Sequence, residues 1–394
     1  MQDARSGDMP RVPVDDPLGC FAGRPVVLPG KPDGISVAVK DNIDVAGLPT
    51  GAGLGRPGPV AAHDAPVVHL LRQAGVTLIG KTRMNEAALG ATGDNPHWGR
   101  TGNPRAPGHS PGGSSSGSAA AVAAGYCDAA LGTDTLGSVR IPASYCGVVG
   151  LKPTRGLVPT AGVVPLSWTL DHVGILAASA GMVARVLALV VGAPPHRTWH
   201  PPRLGVPDAL DDIAIEPQTG AIFRNTLDRL RDAGWVVERC HVPNWVPDAT
   251  RRAGLLLLEA EGAVVHEALV ATDDPALSAD VRRLLQFGRD CGSGRLVRAL
   301  RLLRDVAQGM DDVLRSYDFL AMPTVPSPAF AWGDKVPVNQ ADLAASANFG
   351  GMPAISVPVD STADGLPVGL QLIGRCGSDW DLLDAANVVG GLPA

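Results

Sequence analysis

The chain has 394 residues, of which 45% are hydrophobic and only 4% aromatic, with a formal net charge of −6. An acidic balance without a basic cluster argues against nucleic acid or an anionic membrane surface as partner. The apolar residues are spread along the whole chain among 48 glycines and 35 prolines, which excludes a low-complexity protein and predicts a large core of Ala, Val, Leu and Ile. Six cysteines (Cys20, Cys127, Cys146, Cys240, Cys291, Cys376) are scattered without CxxC or Cys/His ligand spacing. They are therefore read as buried, reduced thiols, with no metal expected.

In chain order, residues 1–30 read as a polar arm punctuated by proline, and residues 31–394 as a single domain. The first sixteen residues lack the apolar stretch of a secretory signal. Ile35, Val37 and Val39 alternate with Ser36, Ala38 and Lys40, the pattern of a strand with one β-branched face and one small face that ends in lysine. Asp64 is placed to cap a helix carrying Val67, Val68, Leu70 and Leu71, closed by Gly75. A short strand is expected over 76–80, an Ala-rich helix over 114–125 entered from a glycine loop, and a strand over 127–133. The stretch 173–192 is the most membrane-like, yet Arg185 sits inside it, so it is read as a packed helix rather than a span. Further on, strands are expected over 203–206 and 235–238 with a helix over 221–233 between them. Residues 250–317 read as mostly helical, and strands return at 318–323, 354–359 and 366–373. Strands alternating with helices define an α/β protein.

Three segments carry chemistry. Lys40 closes the first strand on its small, apolar face, where burial would favour the neutral amine. The chain has only five lysines among 33 basic residues, and arginine cannot give up a proton, so a deprotonable amine is a reason to keep lysine here. A snorkelling strand-end lysine is the bland alternative. SPGGSSSGS, residues 110–118, is a turn entering a helix; it lacks the arrangement of a nucleotide-binding P-loop. GTDTLGSVRIPAS, residues 132–144, has the shape of a strand–turn–helix nucleophile loop, although its serine would serve equally as a helix cap. Its amides at Thr135, Leu136, Gly137 and Ser138 are candidates to hold a developing oxyanion. A serine hydroxyl needs a base within reach to act as a nucleophile.

Together these segments resemble the amidase signature family, and the likeness continues through GVVPLSWTLDHVG (162–174) and NFGGMPAISVPVDSTADGLPVGLQLIGR (348–375). It covers roughly residues 30–190 and 315–390, while the middle, about 195–315, is divergent. The resemblance implies a large mixed central sheet with helices on both faces and a Ser–cisSer–Lys hydrolase without cofactor or metal. It matches Ser138 to the nucleophile and Ser114, 24 residues earlier, to a proton relay on a cis peptide bond. Lys40 is matched to the general base, and the amides of Thr135, Leu136, Gly137 and Ser138 to the oxyanion hole. Ala88 and Gly113 fall where relatives contact substrate. Ser115 and Ser116 flank the relay position, but the 24-residue interval favours Ser114; Lys81 also ends a strand, but GKTRMNE resembles a structural segment of the family rather than its base. Asp171 and His172 suggest a Ser/His/Asp set, yet neighbours on an extended segment face opposite ways, so a loop or packing role is expected. Arg140 is expected to brace the loop by pairing with Asp134.

Three departures are visible. Leu136 stands where relatives carry glycine, which raises the question whether its φ is positive. Ile175 replaces a common proline, and Gly181 stands in place of an acidic helix start. The implied activity is hydrolysis of a carboxamide, most simply a small primary amide with an alkyl or aryl acyl part. Acyl transfer or amide processing in a specialised pathway, and one component of a glutamine amidotransferase, are the alternatives. The expected partner is a small-molecule amide, not nucleic acid or membrane; a cytoplasmic location is expected and a homodimer is left open.

Overall fold

The computed structural model of the chain describes residues 15–31, 34–194 and 199–392. Eleven of the described strands form one mixed sheet in the order β1-β3-β2-β6-β8-β7-β12-β13-β11-β9-β10. These are β1 (Val27–Leu28), β2 (Ser36–Lys40), β3 (Thr77–Thr82), β6 (Ala129–Asp134), β7 (Val149–Lys152), β8 (His172–Ala177), β9 (Arg203–Pro207), β10 (Val236–Cys240), β11 (Phe319–Pro323), β12 (Ala354–Ser361) and β13 (Pro367–Gly374). A separate hairpin pairs β4 (Asp94–Asn95) with β5 (Gly99–Arg100). β2 runs parallel to both β3 and β6, whereas β6, β8, β7, β12, β13 and β11 are joined antiparallel in turn. This is the expected α/β domain with a large mixed sheet.

Alternation along the central strands decides which helices cover which face. Val37, Val39, Leu131 and Ile175 share one core with α1 (Pro66–Gln73) and α4 (Ala180–Val191). Ala38, Ala130 and Leu176 point the other way, into a core shared with α2 (Ser116–Ala123) and α3 (Arg140–Cys146). Small residues on that second face let α2 lie close against the sheet; a Cβ on Gly132 would come 2.7 Å from Ser115 Oγ. Lys40 belongs to this α2-covered face, in step with Ser36 and Ala38.

The remaining helices are α5 (Pro217–Asp232), α6 (Pro247–Val265), α7 (Glu267–Ala271), α8 (Ala279–Arg289), α9 (Ser293–Val313), α10 (Ser346–Phe349) and α11 (Asp379–Gly390). The divergent middle is tied to the signature half at defined points. Glu86 accepts from the backbone and hydroxyl of Ser278, Glu261 of α6 accepts from Ser167 and Thr169, and Arg251 pairs with Asp342.

Several expectations need correction. The stretch read as one packed helix, 173–192, begins as a strand: β8 lies between β6 and β7 in the middle of the sheet, and only from residue 180 does α4 follow, with Ser179 capping it by accepting from Met182 N. A strand buried on both faces is as apolar as a helix, so hydropathy could not separate the two. Asp64 does not cap α1, whose N-cap is Ala65; its carboxylate accepts from Ala46 N and pairs with Arg72. Of the cysteines, Cys20, Cys127 and Cys146 are buried, but Cys240 and Cys291 are half-buried and Cys376 is exposed, and all six are free thiols. Within the arm, Phe21 is buried and bridges to Thr82, and β1 pairs with β3. The rest of the arm, residues 1–14, lies outside the described residues. No described helix is long and apolar enough to cross a membrane.

Candidate active site

Lys40 at the end of β2 is completely buried. Its Nζ lies 2.8 Å from Ser114 Oγ and 2.8 Å from Thr133 Oγ1, and 3.4 Å from the Thr133 carbonyl. All three partners are neutral oxygens. Burial pulls its pKa from the ordinary 10.5 down to about 7, and the charges of Asp171 and Asp134 pull only partly the other way. Asn42 donates to the same Thr133 hydroxyl at 3.2 Å. Ser114 sits in the loop before α2, after a cis Gly113–Ser114 peptide.

The loop after β6 is organised around one buried carboxylate. Asp134 accepts from the amides of Gly137 (2.8 Å) and Val139 (3.1 Å), from Asn348 Nδ2 (2.9 Å), and from two nitrogens of Arg140 (3.0 and 2.8 Å). Burial alone would raise its pKa, but the Arg140 charge and these hydrogen bonds hold it well below the usual carboxylate range. Arg140, itself fully buried, also donates to the Ala344 carbonyl, Gln371 Oε1 and Asn348 Oδ1. The pair braces the loop and ties it to the C-terminal strands; Arg140 is spent entirely inside the protein. Gly137 has φ +121, and a Cβ there would come 2.7 Å from that of Ala344. Ser138 follows it, and its carbonyl accepts from Ser115 N at 3.2 Å, which binds the two serine loops together.

Leu136 is not among the described residues with positive φ, so the bulky side chain carries no backbone strain. It occupies space left by α6: a Cβ on Gly254 would lie 3.0 Å from Leu136 Cδ2. The amide of Gly137, expected among the oxyanion donors, is already donated to Asp134, so of the four expected donors only Thr135, Leu136 and Ser138 remain candidates. Ala88, with φ +60, lies on the wall of a cavity of about 270 Å³ that also borders Ser138 and Leu136. Gly113 lies off that wall, against Asn85, where a Cβ would meet Asn85 Oδ1 at 2.1 Å.

Asp171 and His172 both turn to partners other than Ser138. Asp171 accepts from Thr135 Oγ1 (2.6 Å) and from the amides of Leu166 and Ser167. Its pKa is raised by burial to about 6. His172 turns Nδ1 onto the Leu170 carbonyl at 2.7 Å. Lys81 is engaged elsewhere, by the carbonyls of Asp41 and Pro49 and by the Asp41 carboxylate at 3.7 Å. Sequence reasoning missed Thr133 and Asn348, which lie inside quoted motifs, and Asn42, two residues after Lys40; none carries a signal of its own until the strands pair. It also missed two residues that border the cavity, Arg251 from the divergent middle and Gln340 from a stretch between the quoted motifs.

A sheet that sets a buried lysine against a serine loop, beside a second serine in a glycine turn on a cavity, is the architecture of an α/β enzyme of amide chemistry. The Amidase family profile matches residues 30–383. The chain is 35% identical to a glutamyl-tRNA(Gln) amidotransferase subunit from Natronomonas pharaonis over 91% of this chain and 96% of that protein. A crystal structure of an amidase superposes with TM-score 0.85 at 32% identity, covering 91% of this chain and 85% of the other. The corresponding glutamyl-tRNA(Gln) amidotransferase subunit from Thermotoga maritima does so with TM-score 0.80 at 30% identity, covering 96% and 88%. The chain belongs to the amidase signature family, whose enzymes act on amide C–N bonds.

Proposed function

We propose that the protein hydrolyses a carboxamide through an acyl-enzyme on Ser138. The observation that carries this reading is the buried Lys40 amine, 2.8 Å from Ser114 Oγ, whose pKa burial pulls down to about 7. Ser138 Oγ attacks the amide carbonyl carbon while its proton passes to Ser114 Oγ and the Ser114 proton passes to Lys40 Nζ. The oxygen that becomes negative is held by amides of Thr135, Leu136 and Ser138; one such donor contributes about 3–4 kcal/mol. Lys40, through Ser114, then protonates the leaving nitrogen, the C–N bond breaks, and water attacks the ester by the reverse relay.

The acyl group occupies the 270 Å³ cavity, whose walls include Leu136, Ile141, Leu166, Leu255 and Leu258. Arg251 also borders it, but its guanidinium is held by Asp342 at 2.5 Å and Asp248 at 2.6 Å. The charge is thereby spent, and the wall favours an alkyl or aryl acyl part over one bearing its own carboxylate. The leaving group is ammonia or a small amine.

The names of the relatives favour a second reading, one component of an amidotransferase that releases ammonia from glutamine. Purified protein distinguishes the two. Ammonia released from aryl- or alkyl-acetamides in preference to glutamine supports the first, and glutamine turnover only with an added partner supports the second. A fluorophosphonate should label the wild type and not Ser138→Ala; labelling that survives this substitution removes Ser138 as nucleophile.

A further inference from the structure

Asn42 is buried just past the end of β2 and reaches Lys40 through one shared oxygen. Its Nδ2 donates to Thr133 Oγ1 at 3.2 Å and to the Val164 carbonyl at 3.3 Å, while Lys40 Nζ stands 2.8 Å from the same Thr133 oxygen. The Val164 oxygen can only accept, which fixes the amide with its NH₂ end toward Thr133. The other end, Oδ1, is buried without a hydrogen-bond partner among the described residues. A side chain kept only as a brace would use both ends. The main chain already supplies the brace: Val164 N donates to the Asn42 carbonyl at 2.8 Å, and Ile43 bridges to Val163. An unpartnered buried oxygen is unfavourable and calls for a reason.

A threonine hydroxyl has one proton and two acceptor sites. Among the described residues only Lys40 and Asn42 meet Thr133 Oγ1. Asn42 can only donate there, so the Thr133 proton turns away from residue 42, and the acceptor left for it is the Lys40 nitrogen. A free amine has a lone pair to offer and an ammonium has none. Protonating Lys40 therefore strands the Thr133 O–H in a dry site, a cost that falls on the charged state alone. We propose that Asn42 is a positioning residue of the relay: by donating to Thr133 it turns that hydroxyl toward Lys40 and holds the amine in the free-base form that takes the Ser114 proton. The inference rests on the amidase reading of the site and adds a residue to it. The charges that face Lys40 work the other way. Asp134 at the end of β6 and Asp171 before β8 both favour the ammonium. On β3, Lys81 is engaged by Asp41, Pro49 and Thr50, and α2 carries no charged residue. Asn42 acts on the same side as burial, against those two carboxylates.

The test reads the Lys40 titration without relying on turnover. Urea unfolding across a range of pH, for each protein and its Lys40→Met twin, gives the pH above which the lysine protein gains stability, about 7 in wild type. In Asn42→Leu, of nearly the same shape, the Thr133 proton is free to turn away, and that pH should rise by about 0.5–1 unit. In Asn42→Asp, which offers the Thr133 proton an acceptor, it should rise further. With Thr133→Val in place the shared hydroxyl is gone, and Asn42→Leu should move it by no more than about 0.2 unit. Fluorophosphonate labelling of Ser138 in Asn42→Leu should be about three- to tenfold slower near pH 6, with most of the deficit recovered at about pH 9. A Lys40 titration that stays put or falls, an equal rise with valine at 133, or a labelling deficit the same at every pH overturns the assignment. If Asn42→Leu does not fold, Asn42→Asp decides; if neither folds, the side chain is a brace and the assignment falls. Wild type that is not labelled at Ser138, with the titrations moving as stated, refutes the hydrolase reading and leaves the hold of Asn42 on Lys40 standing.

Discussion

Replacing Lys40 by methionine keeps most of the stem and removes the amine, which exposes how much the folded protein penalises a charge at that point. The displacement from 10.5 to about 7, at about 1.4 kcal/mol per pH unit, corresponds to roughly 5 kcal/mol against the ammonium. Lys40 is completely buried, so water screens little of it. In the unfolded chain the amine keeps its proton up to about pH 10.5, whereas in the folded protein it releases it near pH 7. Between these values the unfolded state binds more protons, and stability rises with pH. Below pH 7 both states are protonated and the whole penalty applies. Wild type should therefore gain roughly 3 kcal/mol relative to Lys40→Met between about pH 7 and 9.5. Urea unfolding of both proteins across that range reads the difference, and groups common to both cancel. A difference that stays flat with pH would refute the reasoning, because it would mean a lysine that remains charged when folded. Fluorophosphonate labelling of wild-type Ser138 provides the kinetic counterpart: its rate should rise about tenfold per pH unit below about pH 7 and level off above.

Asp171→Asn removes the larger of the two negative charges that hold the Lys40 pKa up, so the midpoint of that labelling profile should move to lower pH; an upward move would contradict the assigned electrostatics. Arg140→Met strands the Asp134 carboxylate in a dry core and should cost about 3–5 kcal/mol in urea unfolding, part of it recovered in the double variant with Asp134→Asn. Gly137→Ala meets both a φ of +121 and the Ala344 Cβ, and should slow Ser138 labelling by about 100-fold or more. Leu136→Ala, at ordinary φ, should leave labelling within about tenfold while weakening binding of bulky acyl groups.

Much of this was written locally in the chain. Alternation over 35–40 assigns Lys40 to the same face as Ala38, and the run of glycine, serine and alanine at 112–121 allows α2 to approach that face closely. Both are short-range properties, and they set which residues meet between β2 and α2. Hydropathy was weaker where a buried strand and a buried helix are equally apolar, as over 173–192. The tertiary structure alone decided what surrounds each group. Thr133 becomes a partner of Lys40 only because β2 and β6 pair in parallel, with Val39 opposite Leu131. Asn348 and Gln371 meet Arg140 from more than 200 residues away. The same packing spends the Gly137 amide on Asp134, makes room for Leu136 beside Gly254, and leaves Gln340 buried without an acceptor. Hydrogen-bond satisfaction depends on which distant groups arrive at one place, and local sequence does not record that.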